Sequence, residues 1–215
     1  MNFKKYTANV FVIESDKKLN KGDIVEVSTK YGKLVECEVW NLVTELSGKF
    51  YYSYTRNDGE NSQTFALRRA ERAERVQANK NKKADEWYSK SQEGADFLRL
   101  AEPIKIGHHS EHRHRALIER NWARMGNSVK LRNEADSYDS KIDYWERKAN
   151  EINLSMPECV EFYEYELIKA EDYHKGLKNG SIPVEHSYSV TYANKKVKDL
   201  REKVRLSHLL WGAVA

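Results

Sequence analysis

A nine-residue run, GHHSEHRHR at Gly107–Arg115, carries most of the side chains in this sequence that could do chemistry. Of the seven histidines in the chain, four lie in this His/Arg run, together with Arg113 and Arg115. Imidazole titrates near neutral pH, and guanidinium forms paired hydrogen bonds with phosphate or carboxylate. The run could therefore bind an anion, hold a metal ion or transfer protons, and its function depends on the element that carries it.

The position of the His/Arg run favours anion binding. Ser110 is a good N-cap and Glu111 suits the positive end of a helix dipole, so a helix is predicted to begin here. The first N–H groups of a helix have no partner within it, so phosphate binds there readily. Cations in a first turn oppose the dipole, which indicates that Arg113 and Arg115 serve a ligand or an acidic neighbour. The predicted ligand-binding residues are Gly107, His108, His109, Ser110, Glu111, Arg113, His114 and Arg115.

A metal site is a second hypothesis for the run. It would have to use His108 or His109 with His112, and His186 or Glu111 would have to complete it. The string HHSEH has a different order from the zinc motif HExxH, and no cysteine lies nearby. We therefore predict neither a metal ion nor another cofactor.

Catalysis or a purely structural role could also explain the run. In a phosphoesterase, His109 and His114 would be the candidate general base and general acid. The sequence has no readable Ser/His/Asp or Cys/His arrangement and no phosphate-binding GxxxxGK[ST] loop. In a structural role, the same side chains would bond carboxylates and backbone groups across a helix pair. Binding is favoured over enzymatic activity, and the sequence leaves all of these hypotheses open.

The composition predicts long, solvated helices in a cytoplasmic protein. One third of the 215 residues are charged, 40% are hydrophobic and only three are proline. No stretch has the apolar length of a membrane span, and the start lacks the apolar core of a signal peptide, so we expect no membrane partner. Cys37 and Cys159 are far apart and outside any CxxC pair, which is typical of reduced, incidental thiols.

The first 57 residues predict a small antiparallel β domain. Short β-branched runs alternate with turns at Tyr31–Lys33 and Ser47–Lys49. About four strands are expected over residues 6–55, enough for a sheet or an SH3-like barrel. With the helices that follow, this predicts the α+β class.

Residues 58–155 predict a long antiparallel helical hairpin that carries the His/Arg run. Its first helix has a seam of small residues from Ala66 to Ser91, and its second is expected to run unbroken from Ser110 to Ile152, about 60 Å at 1.5 Å per residue. The second helix has an apolar stripe of Ile118, Trp122, Met125 and Val129, and Trp87, Trp122 and Trp145 are predicted in the core. Such a stripe could close within the chain or across a homodimer.

Residues 156–215 predict two further helices that fold back on the hairpin. Ser155 is the expected N-cap of the first, with Pro157 in its first turn, and Asn179–Gly180 is its expected end. His174 and His208 are expected as structural histidines within these helices.

Charge alternates in blocks along the helices. Residues 105–132 are basic, 133–175 are acidic and 195–205 are basic again. The blocks could pair with one another inside the protein. Alternatively, Arg68–Lys83 and Arg120–Arg132 could extend a nucleic-acid footprint, or Glu161–Asp172 could bind another protein.

The His/Arg run and its flanks resemble the family known as domain of unknown function 3560, found in bacterial, plasmid and phage proteins. The resemblance covers residues 66–149, and His112 falls at a variable position of its GHHSE-x-RHR motif. It is carried by Pro103, Ile104, the other residues of the run, Glu119, Arg120, Met125 and Ser128. The resemblance implies a helical domain of unassigned activity. Its phage or mobile-element setting implies host takeover or counter-defence in the host cytoplasm, with a host protein as an alternative partner.

Overall fold

Five strands near the N-terminus close into a barrel in the order β1-β2-β5-β4-β3. Neighbouring strands are antiparallel except for the closing pair, in which Asn2 of β1 lies parallel to Ser28 of β3. The strands are β1 (Asn2–Thr7), β2 (Val10–Ser15), β3 (Ile24–Ser28), β4 (Leu34–Leu46) and β5 (Lys49–Arg56). A core of Ile13, Val27, Val35 and Cys37 fills one part of the barrel.

The rest of the chain is mainly helical, which confirms the predicted α+β class. The computed structural model describes residues 1–212. The helices are α1 (Ser62–Ser91), α2 (Ala95–Arg99), α3 (Glu111–Asp136), α4 (Asp139–Ala149), α5 (Cys159–Asn179) and α6 (Ser189–Trp211). None of these helices is both long and apolar enough to cross a membrane.

The β domain has one strand more than the four that were expected. The additional strand is β1, whose Lys4 and Lys5 are exposed, so its sequence lacks clear apolar alternation. It forms by pairing with β2 across a tight turn, in which Asn9 takes the left-handed conformation with φ 62°.

The contacts divide the chain into two compact units. One unit joins residues 1–64 to the segment from residue 150 onward, and the other is residues 65–149. The sequence predicts three segments, with limits at 57 and 155. Within the first unit, the C-terminal helices contact each other, and α6 contacts β4 and β5 of the barrel.

Helices α5 and α6 share an apolar core with the outer side of the barrel. The Ser53 hydroxyl donates a 2.6 Å hydrogen bond to the carbonyl of Leu210, and the Asn41 amide donates one of 2.7 Å to the carbonyl of Gly212. The rings of Trp40 and Trp211 meet edge to face at 5.7 Å. Buried polar groups therefore find partners across this packing, which ties the C-terminal helix to the barrel.

Helix α5 begins later than the sequence predicts. Its first residue is Cys159, because the Ser155 hydroxyl bonds the side chains of Asn153 and Ser62 and does not cap a helix. Its predicted end is confirmed, since Gly180 follows it in the left-handed conformation with φ 79°.

Helices α1 and α3 contact each other in reverse chain order. Arg124 in the middle of α3 donates to the Lys90 carbonyl at the end of α1, whereas Glu134 at the end of α3 pairs with Lys80. The predicted seam of α1 is confirmed, with Ala66, Ala70, Ala73, Ala84 and Ser91 buried. Trp87 and Trp145 are half-buried, but Trp122 is 75% exposed, so its prediction as a core residue is wrong.

The predicted unbroken helix after the run is divided at Ser137–Tyr138. The Ala135 carbonyl accepts the Tyr138 N–H at 2.9 Å and also a hydrogen bond from the Gln77 side chain. The Ser137 hydroxyl donates a hydrogen bond to the carbonyl of Glu134. Side chains thus compete with backbone N–H groups for the carbonyls that would otherwise continue the helix. A new helix, α4, begins at Asp139.

Candidate functional site

The His/Arg run forms the junction between an irregular segment and the start of α3. Gly107 takes the left-handed conformation with φ 77°, and Ser110 stands at the predicted N-cap position. The Ser110 hydroxyl does not cap the helix, because it lies 2.8 Å from Nδ1 of His108. The Ser110 N–H also donates to that nitrogen at 3.3 Å, so Nδ1 is the acceptor and the His108 ring is held close to the turn.

Glu111 braces the junction from inside the first turn. One of its carboxylate oxygens accepts the Gly107 N–H at 2.7 Å, and the other accepts Nε of Arg115 at 2.9 Å. The Gly107 N–H first, and then the Arg115 guanidinium, lower the pKa of the Glu111 carboxyl below its ordinary value. Glu111 is therefore ionised at neutral pH and neutralises Arg115.

His114 fastens the short helix α2 to α3. Its half-buried ring meets the ring of Phe97 edge-on at 5.0 Å. Gly94, at the start of α2, lies so close to α3 that an added Cβ would be 2.9 Å from a methyl carbon of Leu117. Packing of this kind explains His114 without a ligand.

Five side chains of the run are exposed: His108, His109, His112, Arg113 and Arg115. Three of them, His109, His112 and Arg113, have no side-chain hydrogen bond and no ion pair among residues 1–212. Within residues 1–212, the side chains of His112 and Arg113 make no hydrogen bond and no ion pair, and their backbone N–H groups have no partner either. Among the described residues, the ring contact of His109 is with His108, with centroids 4.0 Å apart. We call these three residues the open set, because their donors are available to a bound molecule.

The structure therefore divides the predicted site residues into two groups. Gly107, His108, Ser110, Glu111, Arg115 and His114 hold the junction, whereas His109 and Arg113 belong to the open set. His112 joins the open set although the sequence argument placed it outside the site. Its place in the first turn of the predicted helix could have identified it, because the backbone N–H groups there have no partner within the helix.

The predicted catalytic pair is not brought together by any contact in the described chain. The ring of His109 meets that of His108 at a tilt of 44°, and the ring of His114 meets that of Phe97 edge-on. No three His, Cys, Asp or Glu side chains among residues 1–212 are grouped so that they could hold a metal ion. The ring of His186, a proposed metal ligand, meets that of Tyr192 at 5.8 Å.

The basic block after the run is largely paired within the protein. Arg120 and Arg124 both bond Glu93, in the turn after α1, and Arg132 bonds Asp85 of α1 at 2.7 Å. Part of the acidic block is also paired within the protein, since Glu171 of α5 forms an ion pair with Arg201 of α6. Pairing between helices thus accounts for many charges that could have formed a nucleic-acid footprint.

A family model described as Domain of unknown function (DUF3560) matches residues 61–183. The match takes in α1 to α5, so it extends beyond the 66–149 stretch on which the sequence resemblance rests. No curated protein and no solved structure matches the chain.

Proposed function

The chain belongs to the family described as Domain of unknown function (DUF3560), and we propose that the start of α3 is its binding site for a phosphate-bearing ligand. The observation that carries the proposal is the open set. His112 and Arg113 present two unpaired backbone N–H groups and two unpaired cationic or titratable side chains from one helical turn.

The backbone groups supply the first part of the binding site. Unpaired N–H groups at a helix N-terminus point outward at the positive end of the dipole, where an anion is stabilised. Glu111 does not oppose this, because Arg115 neutralises its charge and its second oxygen accepts the Gly107 N–H. The brace fixes the backbone around Gly107 and so preorganises the junction.

The side chains of the open set supply the second part. Arg113 can offer two parallel N–H donors to phosphate oxygens, and its guanidinium is charged at any physiological pH. His109 and His112 can add donors, and protonation of either ring increases its attraction for phosphate. Lys105, exposed in the preceding loop, adds a further cation near the junction in the chain.

The charge pairing favours a nucleotide-sized ligand over a long nucleic acid. Three arginines of α3 that would have extended the footprint bond to Glu93 and Asp85. The exposed cations Arg72 and Arg75 on α1 have no partner among the described residues and could contact a nucleic acid. Either ligand fits the host-takeover or counter-defence role that the resemblance to phage and mobile-element proteins implies.

Native mass spectrometry and calorimetric titration of the full chain test the proposal with ATP, inorganic pyrophosphate and a short DNA oligonucleotide as probes. We expect binding of at least one probe, weakened about tenfold or more by Arg113→Ala, since one charge-assisted hydrogen bond contributes at this level. Arg72→Ala, which removes an exposed arginine of α1, is the matched control and should leave nucleotide affinity unchanged.

The salt dependence of affinity separates the two ligand classes. Nucleic-acid binding should weaken steeply, by about one unit of log–log slope for each phosphate neutralised, whereas a single nucleotide should show a shallow slope. Binding that Arg113→Ala leaves intact would overturn the site. No uptake of any probe would favour a different function, that of a helical scaffold that binds a host protein through Glu161–Asp172.

A second candidate function is supported by the hydrogen bond between Ser110 and His108. The Ser110 hydroxyl lies 2.8 Å from an imidazole nitrogen that accepts hydrogen bonds, so its proton can pass to His108 while its oxygen attacks the phosphorus of a phosphoester. The bond from phosphorus to the leaving alcohol would break, and His108 would return the proton to that alcohol. Water would then hydrolyse the phosphoserine and restore the hydroxyl. In this version of the phosphoesterase, Ser110 and His108 replace His109 and His114 as the reacting groups. Turnover of p-nitrophenyl phosphate that Ser110→Ala and His108→Ala both abolish, but Ser89→Ala does not, would support it. Turnover that survives Ser110→Ala would exclude it.

A further inference from the structure

A groove lies between α5 and α6, in the unit that contains the barrel. Both helices and the loop that joins them contribute side chains to it, and its volume of about 500 Å³ suits a small molecule. Glu171 of α5 meets Arg201 of α6. Glu164, which is earlier in α5, meets His208, which is later in α6. The two helices are therefore antiparallel, and this direction decides which side chains meet at each end of the groove.

Two alanines form the floor of the groove. Ala170 of α5 and Ala193 of α6 both line it, and both are buried. A side chain that ends at Cβ leaves space above it, so the larger neighbours of each alanine form the walls instead of filling the gap between the helices. The groove thus results from small residues where the two helices meet.

The walls have an aromatic end and a basic end. On α5 the sequence KAEDY places Lys169 four residues before Tyr173, and on α6 the sequence YANKK places Tyr192 four residues before Lys196. Residues four apart lie on one face of a helix, about 6 Å apart along its axis. Because the helices are antiparallel, both lysines lie toward one end of the groove and both tyrosines toward the other.

The aromatic end offers ring faces and one free carboxylate. The Tyr192 ring is held edge-on by the His186 ring at 5.8 Å and is tilted against the Tyr188 ring at 6.3 Å, yet this tyrosine is 62% exposed. Tyr173, on the facing helix, is 48% exposed. Glu185, from the loop, also lines the groove and has no hydrogen bond or ion pair among residues 1–212. A planar ring that carries a hydrogen-bond donor suits these groups.

The basic end has one cation to spare. Lys196 is exposed and pairs with no other group in the described part of the chain. The ammonium of Lys169 lies 3.7 Å from the carboxylate of Glu166, which also lines the groove, and 4.1 Å from the centre of the Tyr165 ring. Two lysines and one glutamate leave a formal charge of +1 at this end, and Lys196 is the group that can pair with an anion.

We propose that the groove binds a small molecule in which a planar aromatic ring and an anionic group lie about 6 Å apart. The ring packs against Tyr173 and Tyr192 and donates a hydrogen bond to Glu185, and the anion pairs with Lys196. An inorganic anion would leave the tyrosines unused, and a neutral ring would leave Lys196 unpaired. A nucleoside monophosphate and an aromatic carboxylate share the required chemistry.

Calorimetric titration of the full chain with AMP and with indole-3-propionate tests the groove. We expect at least one probe to bind, and Lys196→Ala to weaken its binding about tenfold through the loss of a charge-assisted hydrogen bond. Lys195→Ala removes the adjacent exposed lysine, which does not line the groove, and should leave the affinity unchanged.

Tyr192→Ala tests the aromatic end. It should weaken binding of the same probe roughly fivefold, the effect of losing one stacking partner. Tyr31→Ala removes a tyrosine of the barrel that is 91% exposed and should leave the affinity unchanged. Lys196 and Tyr192 are both exposed, so the far-UV circular dichroism of these variants should match that of the parent.

The choice of probe separates the two sources of the ligand, since binding of AMP alone supports a nucleotide and binding of indole-3-propionate alone supports an aromatic carboxylate. No uptake of either probe at millimolar concentration would overturn the proposal, and so would binding that neither Lys196→Ala nor Tyr192→Ala weakens. The open set belongs to the other unit, so Arg113→Ala should leave binding in the groove intact. AMP binding that is lost in Arg113→Ala but kept in Lys196→Ala would support the open set and overturn the groove as the nucleotide site.

Discussion

The carboxylate of Glu111 accepts the backbone N–H of Gly107 at 2.7 Å and so ties the loop before α3 to the first turn of that helix. The contact joins a left-handed glycine to an ionised side chain four residues later. The geometry of the His/Arg run depends on this one bond and on its continuation to Arg115.

Glu111→Gln should loosen the loop without unfolding α3. A neutral amide oxygen is a weaker acceptor for Gly107 and no longer pairs with Arg115, so the exposed Lys105 should become a better trypsin site. We expect cleavage after Lys105 to accelerate about fivefold. Glu119→Gln changes an exposed glutamate of the same helix and should cleave at the parent rate.

The same bond predicts a pH dependence. The fold lowers the pKa of Glu111 from its ordinary 4.5, so the ionised carboxylate stabilises the junction above that value, and the contribution is lost as the pH falls through the lowered pKa. Cleavage after Lys105 by an acid-stable protease of the same specificity should therefore rise below about pH 4.5 in the parent. In Glu111→Gln the rate should already be high and should not respond to pH; an equal response in both proteins would contradict the assignment.

Two glycines of the second unit should respond to alanine with opposite signs. Gly94→Ala places a Cβ 2.9 Å from the Leu117 side chain at a backbone φ of 68°, so we expect a loss of about 1–3 kcal/mol. Gly126→Ala lies inside α3 with open space around it and should stabilise the helix by about 1 kcal/mol. Urea unfolding followed by circular dichroism measures both, and two changes of the same sign would show that the packing of α2 is misassigned.

The bond from Ser53 to Leu210 should be measurable in the stability of the unit that contains the barrel. The Ser53 hydroxyl is buried, donates to the Leu210 carbonyl and accepts the Asn41 N–H at 2.9 Å. Ser53→Ala leaves both partners unsatisfied and should cost about 1–3 kcal/mol in the free energy of unfolding. Ser187→Ala, at an exposed position of the same unit, should change it by less than about 0.5 kcal/mol.

The two thiols should be unreactive in the folded chain. Burial raises the pKa of Cys37 to about 11 and that of Cys159 to about 12, so almost no thiolate exists at neutral pH. Ellman's reagent should react with both only after guanidinium unfolds the protein. Rapid reaction of one thiol under native conditions would show that its surroundings open to solvent.

The sequence predicts secondary structure correctly where residues close together in the chain determine it. Turn residues separated β-branched runs in the barrel, Gly180 ended α5, and Ser110 marked the start of α3. The alanine seam of α1 was readable because small residues recur there at helical spacing. The sequence does not predict β1, because this strand lacks apolar alternation and is stabilised by its pairing with β2.

The sequence by itself determined that the His/Arg run begins a helix and that α3 has an apolar stripe. Only the tertiary structure decided that α1 packs against the face of α3 that carries Ser128 and Ala135 and leaves Trp122 exposed, because periodicity shows that a stripe exists but not what covers it. It also decided which residues of the run are occupied, since that depends on the backbone turn at Gly107. The packing of α6 on the barrel joins Asn41 to Gly212, and no local pattern records a contact between residues so far apart in the chain.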